Sequence, residues 1–161
     1  MKKRVVPIIL MVVVLFTFFL STIPNVAASE DELILVTEAG FAPYEYYSSG
    51  KVVGVDIDIA KKIAKKLNKK LVIKDVAFDS IISEVKTGKS DLGAAGISYT
   101  KERAREVDFT DNYASSKQVI IIKSSTNITS PSTLSGKVAV QLGTVADTYL
   151  TENYPDITII R

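Results

Sequence analysis

The chain has 161 residues, with 20 Lys plus Arg, 18 Asp plus Glu, no Cys and no His. The missing residue types exclude disulfides, zinc–thiolate sites, a lipid-modified cysteine, thiolate attack and imidazole base chemistry. Three of the basic side chains (Lys2, Lys3 and Arg4) fall in the first 28 residues, so the other 133 carry 17 basic and 18 acidic groups, a balance that gives no reason to expect nucleic acid as a partner.

Residues 1–28 read as a cleaved signal peptide. Lys2-Lys3-Arg4 is a basic start, Val5 to Leu20 is apolar except at Pro7 and Thr17, and Val26-Ala27-Ala28 offers small residues to a signal peptidase. The apolar run is shorter than the roughly 20 residues of a spanning helix, which favours export over an uncleaved anchor. The expectation is a soluble periplasmic protein without a lipid anchor, and what remains is long enough for one good core.

Leu33 to Thr37 is a short apolar run of the kind that forms a strand buried on both faces. A loop follows with Gly40 and Pro43, and Tyr44 to Tyr47 and Lys51 to Val53 flank Ser48-Ser49-Gly50 as a small hairpin or an aromatic-rich connection. Asp56 to Leu67 has the clearest helical pattern, with Ile59, Ala60, Ile63, Ala64 and Leu67 on one face and lysines on the other. Asp56 or Asp58 is expected to cap its start, and Asn68 to help close its end.

Leu71 to Val76 is the next strand candidate. Phe78, Ile81, Ile82 and Val85 follow helical spacing up to Gly88, Asp91 to Ala95 reads as a small-residue strand, and Thr100 as the cap of a short helix through Glu106. This βαβαβ order predicts a mostly parallel sheet covered by helices. Beyond it, Val119 to Ile122 reads as a strand, Pro131 to Leu134 as a helical turn stopped by Gly136, Lys137 to Gln141 as a strand, Val145 to Asn153 as a helix, and Ile157 to Ile160 as a last strand. A second unit thus opens near residue 118 and is expected to be incomplete.

Open parallel sheets bind ligands beyond the carboxyl ends of their strands, and Glu38, Gly96 to Thr100 and Gly143-Thr144 all follow predicted strands. Arg103 offers a bidentate fork to a carboxylate, the alternative being a surface pair with Glu102 or Asp108. Ser98 and Thr100 either donate to the same anion or cap the helix. Glu38 either accepts from an ammonium group or is a solvated loop carboxylate. Phe41 and Phe78 suit the walls of a small-molecule site, although Phe78 equally suits the core face of its own helix. The lysines at 61, 62, 65, 66, 69 and 70 read as a solvated face. No metal site, cofactor or catalytic constellation is expected.

Several segments together resemble the bacterial extracellular solute-binding proteins that serve polar amino-acid ABC transporters. They are Thr37 to Tyr46, Gly54-Val55-Asp56-Ile57-Asp58-Ile59-Ala60, Gly88 to Leu92, the Gly96 to Thr110 block and Gln141-Leu142-Gly143-Thr144. The resemblance implies a periplasmic-binding-protein-like α/β fold with two parallel-sheet lobes, here residues 29–115 and 116–161, closing on an amino acid.

It further implies that Arg103 clasps the ligand's α-carboxylate, that Gly96 and Ser98 contact its amino and carboxylate groups, and that Glu38 meets its amino or side-chain end. Phe41 and Phe78 become the walls, Thr144 a carboxylate contact from the second lobe, and Gln141 a side-chain contact. The expected partners are a small-molecule amino acid and a membrane permease, with the protein working as a monomer and without catalysis.

Val55 departs from the aromatic residue usual before the first Asp of the Gly-x-Asp-x-Asp motif. Further sequence, including a late acidic anchor for the ligand's ammonium, is expected beyond Arg161, so the chain as it stands is expected to be an incomplete binder. Two alternatives accompany this reading: a periplasmic sensory domain, and a dehydratase-like enzyme on the same scaffold.

Overall fold

Strand β1 (Glu32–Thr37) is the centre of the fold. In the computed structural model, which describes residues 31–161, it pairs in parallel with β5 (Lys70–Asp75) along its whole length and with β6 (Leu92–Gly93) on the other side. The predicted signal peptide lies outside the described residues.

Alternation along β1 sends neighbouring side chains to opposite faces of the sheet. Leu35 packs with Ile57 and Ala60 of helix α1 (Val55–Lys66), while Val36 packs with Ile81 of helix α2 (Ile81–Lys86) and with Ala95. All but Ala95 are fully buried, and each large side chain so placed contributes about 1.5–3 kcal/mol. A continuous apolar run therefore forms a strand here because both of its faces are covered.

Strands β2 (Gly40–Phe41), β3 (Glu45–Ser48) and β4 (Lys51–Val53) form a small antiparallel sheet, with Ser49 and Gly50 turning the β3–β4 hairpin at positive φ. Gly54 joins it to α1 at φ 131°, where a Cβ would lie 2.1 Å from the Tyr44 carbonyl oxygen. Only glycine permits this approach, and the Asp56 N–H then donates to that same carbonyl at 3.0 Å.

Several predicted boundaries shift. The strand after Gly88 shrinks to β6, and the helix after Thr100 is one 3₁₀ turn, Arg103–Arg105, with the Arg103 N–H donating to Thr100 Oγ1 at 3.2 Å. The expected cap at Asp56 is not made. Gly54 occupies the N-cap position without a side-chain bond, and the Asp56 carboxylate turns inward instead.

The expected strand at Val119 to Ile122 is also absent. Its side chains are exposed, Ile121 at 93%, and no neighbouring segment among the described residues offers a ladder, which a strand needs whatever its propensity. Further on, a 3₁₀ turn (Pro131–Thr133) leads to β7 (Lys137–Ala139), helix α3 (Val145–Asn153) and β8 (Thr158–Ile160). Strands β7 and β8 pair in parallel as a separate two-stranded sheet, the expected βαβ order at reduced size.

Candidate functional site

The carboxyl ends of β1 and β6 deliver Glu38 and the Gly96 loop to one side of the sheet, and the turn after β7 comes to the same place. Arg103 joins these parts. Its Nη1 donates to the Ser98 carbonyl at 2.7 Å and its Nη2 to the Gly143 carbonyl at 2.9 Å, while the guanidinium lies 5.5 Å from the centre of the Phe78 ring. Partial burial lowers the Arg103 pKa, yet a guanidinium stays cationic. A cavity of about 60 Å³ opens here, lined by Phe78, Asp79, Ile82, Ile97, Arg103 and Gly143.

A second link crosses the same gap, where Gln141 Nε2 donates to Glu38 Oε2. Phe41, 54% exposed, stacks on Tyr44 with ring centroids 5.4 Å apart and lies against Gly96, where a Cβ would approach the Phe41 ring to 3.0 Å. At φ 55°, Gly96 keeps its backbone next to that ring and exposes the loop to whatever lies above it. A larger cavity of about 580 Å³ runs from Phe41, Gly96 and Ser98 beneath residues 107–116.

Thr144 also shapes the local backbone. Its hydroxyl accepts from the Asp147 N–H at 3.2 Å and donates to the Gln141 carbonyl at 2.8 Å, so it caps α3 and shapes the turn. Asp147 in turn accepts from the Gly143 N–H at 3.1 Å and from Arg161 Nε at 2.8 Å.

The model of the bacterial extracellular solute-binding proteins, family 3, matches residues 33–156, nearly the whole described chain. The chain belongs to this family. It is similar to the arginine-binding extracellular protein ArtP of Bacillus subtilis, 33% identical over 121 residues that make up 74% of the chain and 48% of ArtP. It is also similar to a probable histidine-binding protein of Campylobacter jejuni, 34% identical over 76% of the chain and 50% of that protein.

Among solved structures, an ancestral arginine-binding protein bound to arginine matches with a TM-score of 0.70 and 34% identity, over 81% of this chain and 61% of that one. The chain spans about half the length of these curated relatives. The expected periplasmic-binding-protein-like fold is that of the family, and the parallel β5–β1–β6 sheet is its core here.

Behind the Gly96 loop, two residues have roles that the sequence pattern did not reveal. Asp56, fully buried, accepts from the Gly96 N–H at 3.0 Å rather than capping α1. Glu45, also buried, faces Asp56 from β3. The available signal was an acid between Tyr44 and Tyr46 in an otherwise aromatic segment, where a solvated carboxylate has little reason to sit.

Proposed function

We propose that the chain supplies the ligand-clasping part of an amino-acid receptor that delivers its ligand to the permease of an ABC transporter. The observation that carries this reading is the Arg103 guanidinium, oriented by the Ser98 carbonyl and aimed at the gap between the Gly96 loop and the Gly143 turn. A ligand carboxylate replaces the Gly143 carbonyl on Nη2, a charge-assisted bond in place of a neutral acceptor. Gly96 and Ser98 line the α-amino and carboxylate end, Phe41 and Phe78 form the walls, and Glu38 with Gln141 meets the ligand's far end.

The relatives named for arginine and histidine, together with the Glu38 carboxylate, support a basic amino acid, with L-arginine first. Residues 29–115 act as the first lobe and 116–161 as part of the second, in a monomer exported to the periplasm by residues 1–28. The reading has no chemical step. Glu38, the loop carboxylate at the gap, is engaged by Gln141 and acts in this reading as a ligand contact.

Isothermal titration of the purified chain against the twenty amino acids tests this. We expect saturable binding of L-arginine and a loss of about tenfold or more in Arg103→Ala, the size of one charge-assisted hydrogen bond. No binding by any amino acid, or binding unchanged in Arg103→Ala, contradicts the proposal.

A further inference from the structure

Behind the Gly96 loop lies a buried arrangement that the binding reading does not use. Glu45 is 1% exposed and Asp56 is fully buried, and among the described residues neither takes part in an ion pair with Lys or Arg. Two oxygens there, Glu45 Oε2 and Asp56 Oδ1, are buried without a hydrogen-bond partner. The other Asp56 oxygen, Oδ2, accepts from the Gly96 N–H. Two ionised carboxylates cannot share a buried site without a counter-charge, whereas one proton between them satisfies both orphan oxygens.

We propose that Glu45 is held as a neutral carboxylic acid donating to Asp56, and that this shared proton makes the pair a positioning device for the Gly96 amide at the ligand-clasping loop. The groups around the pair agree with it. Burial, then the facing Asp56 and the nearby Glu38, push the Glu45 carboxyl up to about 9. From the 107–116 segment, the half-exposed Tyr113 also faces Asp56, and its phenol is raised above its ordinary range by partial burial and by that carboxylate, with smaller contributions from Glu45 and Tyr44.

The backbone holds the two acids together. Glu45 pairs with Phe41 across the β2–β3 ladder, and the Asp56 N–H is bonded to the carbonyl of Tyr44, the residue before Glu45. Removing the proton places two negative charges at one end of the Asp56–Gly96 bond. That displaces Gly96, against which Phe41 packs and from which the chain leads to the Ser98 carbonyl that orients Arg103. Both acids are thus positioning residues, acting through Gly96.

The sign of the pH dependence follows from linkage. Between the ordinary carboxyl range and about 9 the native state holds a proton that the unfolded chain has released, so stability falls as pH rises through that window and levels off above it. Glu45→Gln keeps a donor toward Asp56 but cannot ionise, so it removes this slope. Its role at the ligand loop rests on the amino-acid-binding reading, and the test separates the two.

Carbon-13 NMR of carboxyl-labelled glutamates in the ligand-free chain should show one Glu titrating far above the others, absent in Glu45→Gln. The Gly96 amide resonance should move with that titration in the wild type and stay still in the variant. Glu45→Gln should bind L-arginine like the wild type at about pH 7. By about pH 10 the wild type should have lost roughly tenfold more affinity than the variant, because only about a tenth of it keeps the proton. The ligand's own amino titration appears in both profiles and cancels in their ratio.

A Glu45 that titrates with the other glutamates, or a Gly96 amide indifferent to pH, overturns the proposal. So do parallel affinity profiles for the two proteins. A wild-type chain that binds no amino acid overturns the functional reading alone, and the Gly96 resonance still decides the positioning role.

Discussion

Two buried aspartates hold the two glycines of the site, and they are partnered in opposite ways. In the second region Asp147 accepts from the Gly143 N–H and is ion-paired with Arg161. In the first, Asp56 accepts from the Gly96 N–H and faces another acid, Glu45. Both glycines have positive φ, 76° and 55°, so each turn needs an acceptor for an amide that regular structure cannot satisfy. Asp147 has a cation beside it, whereas Asp56 has a neutral acid.

The surroundings follow the same division. Around β1 both faces of the sheet are covered and most of the buried apolar side chains gather there, whereas among the described residues Leu150 is the only buried hydrophobic side chain after residue 116. The first region is built to keep its loop fixed. The second is held to it by contacts at the site, with Arg103 to Gly143 and Gln141 to Glu38 among them.

The largest expected effect breaks this comparison at its strong side. Leu35→Ala should destabilise the chain by about 2–5 kcal/mol in denaturant unfolding, and Leu150→Ala by less, because fewer neighbours surround the hole it leaves. Equal losses would mean that the two regions share one core. Next comes Gly54→Ala, where the added methyl meets the Tyr44 carbonyl and strains the backbone. It should cost about 1–3 kcal/mol and abolish the anomalous Glu45 titration by separating the two acids.

Smallest is Arg161→Ala, which removes a partly exposed ion pair. It should cost about 1 kcal/mol or less, fade with added salt, and broaden the Gly143 amide while leaving Gly96 unchanged. A matching change at Gly96 would show that the two aspartate supports are coupled.

Much of the framework was legible in the sequence because local pattern and tertiary demand coincide there. The helical-period face of Asp56 to Leu67 and the apolar run of Leu33 to Thr37 became an element each, Val55–Lys66 and Glu32–Thr37, and Val145–Asn153 kept its predicted ends, with Thr144 capping its start. Where they diverge, the sequence misled. Val119 to Ile122 has strand propensity but no ladder to join, and propensity cannot supply one. Asp56 looked like a cap because an acid at a helix start usually is one, and only the packing of Glu45 against it from β3 reveals the other use.

The gathering of Arg103, Ser98, Phe78 and Gly143 joins residues far apart in the chain, so no local pattern carried it. The family resemblance pointed to its parts separately: Arg103 and Ser98 through the Gly96 to Thr110 block, Phe78 as a matching apolar wall, and the Gly143 turn through Gln141 to Thr144.

The most direct test of the account is a proton–nitrogen correlation titration of the purified chain with L-arginine. The account predicts saturable shifts concentrated at the Gly96, Ser98, Arg103 and Gly143 amides, and their loss in Arg103→Ala with the rest of the spectrum intact. Shifts centred elsewhere, or a spectrum that L-arginine leaves unchanged, would contradict it.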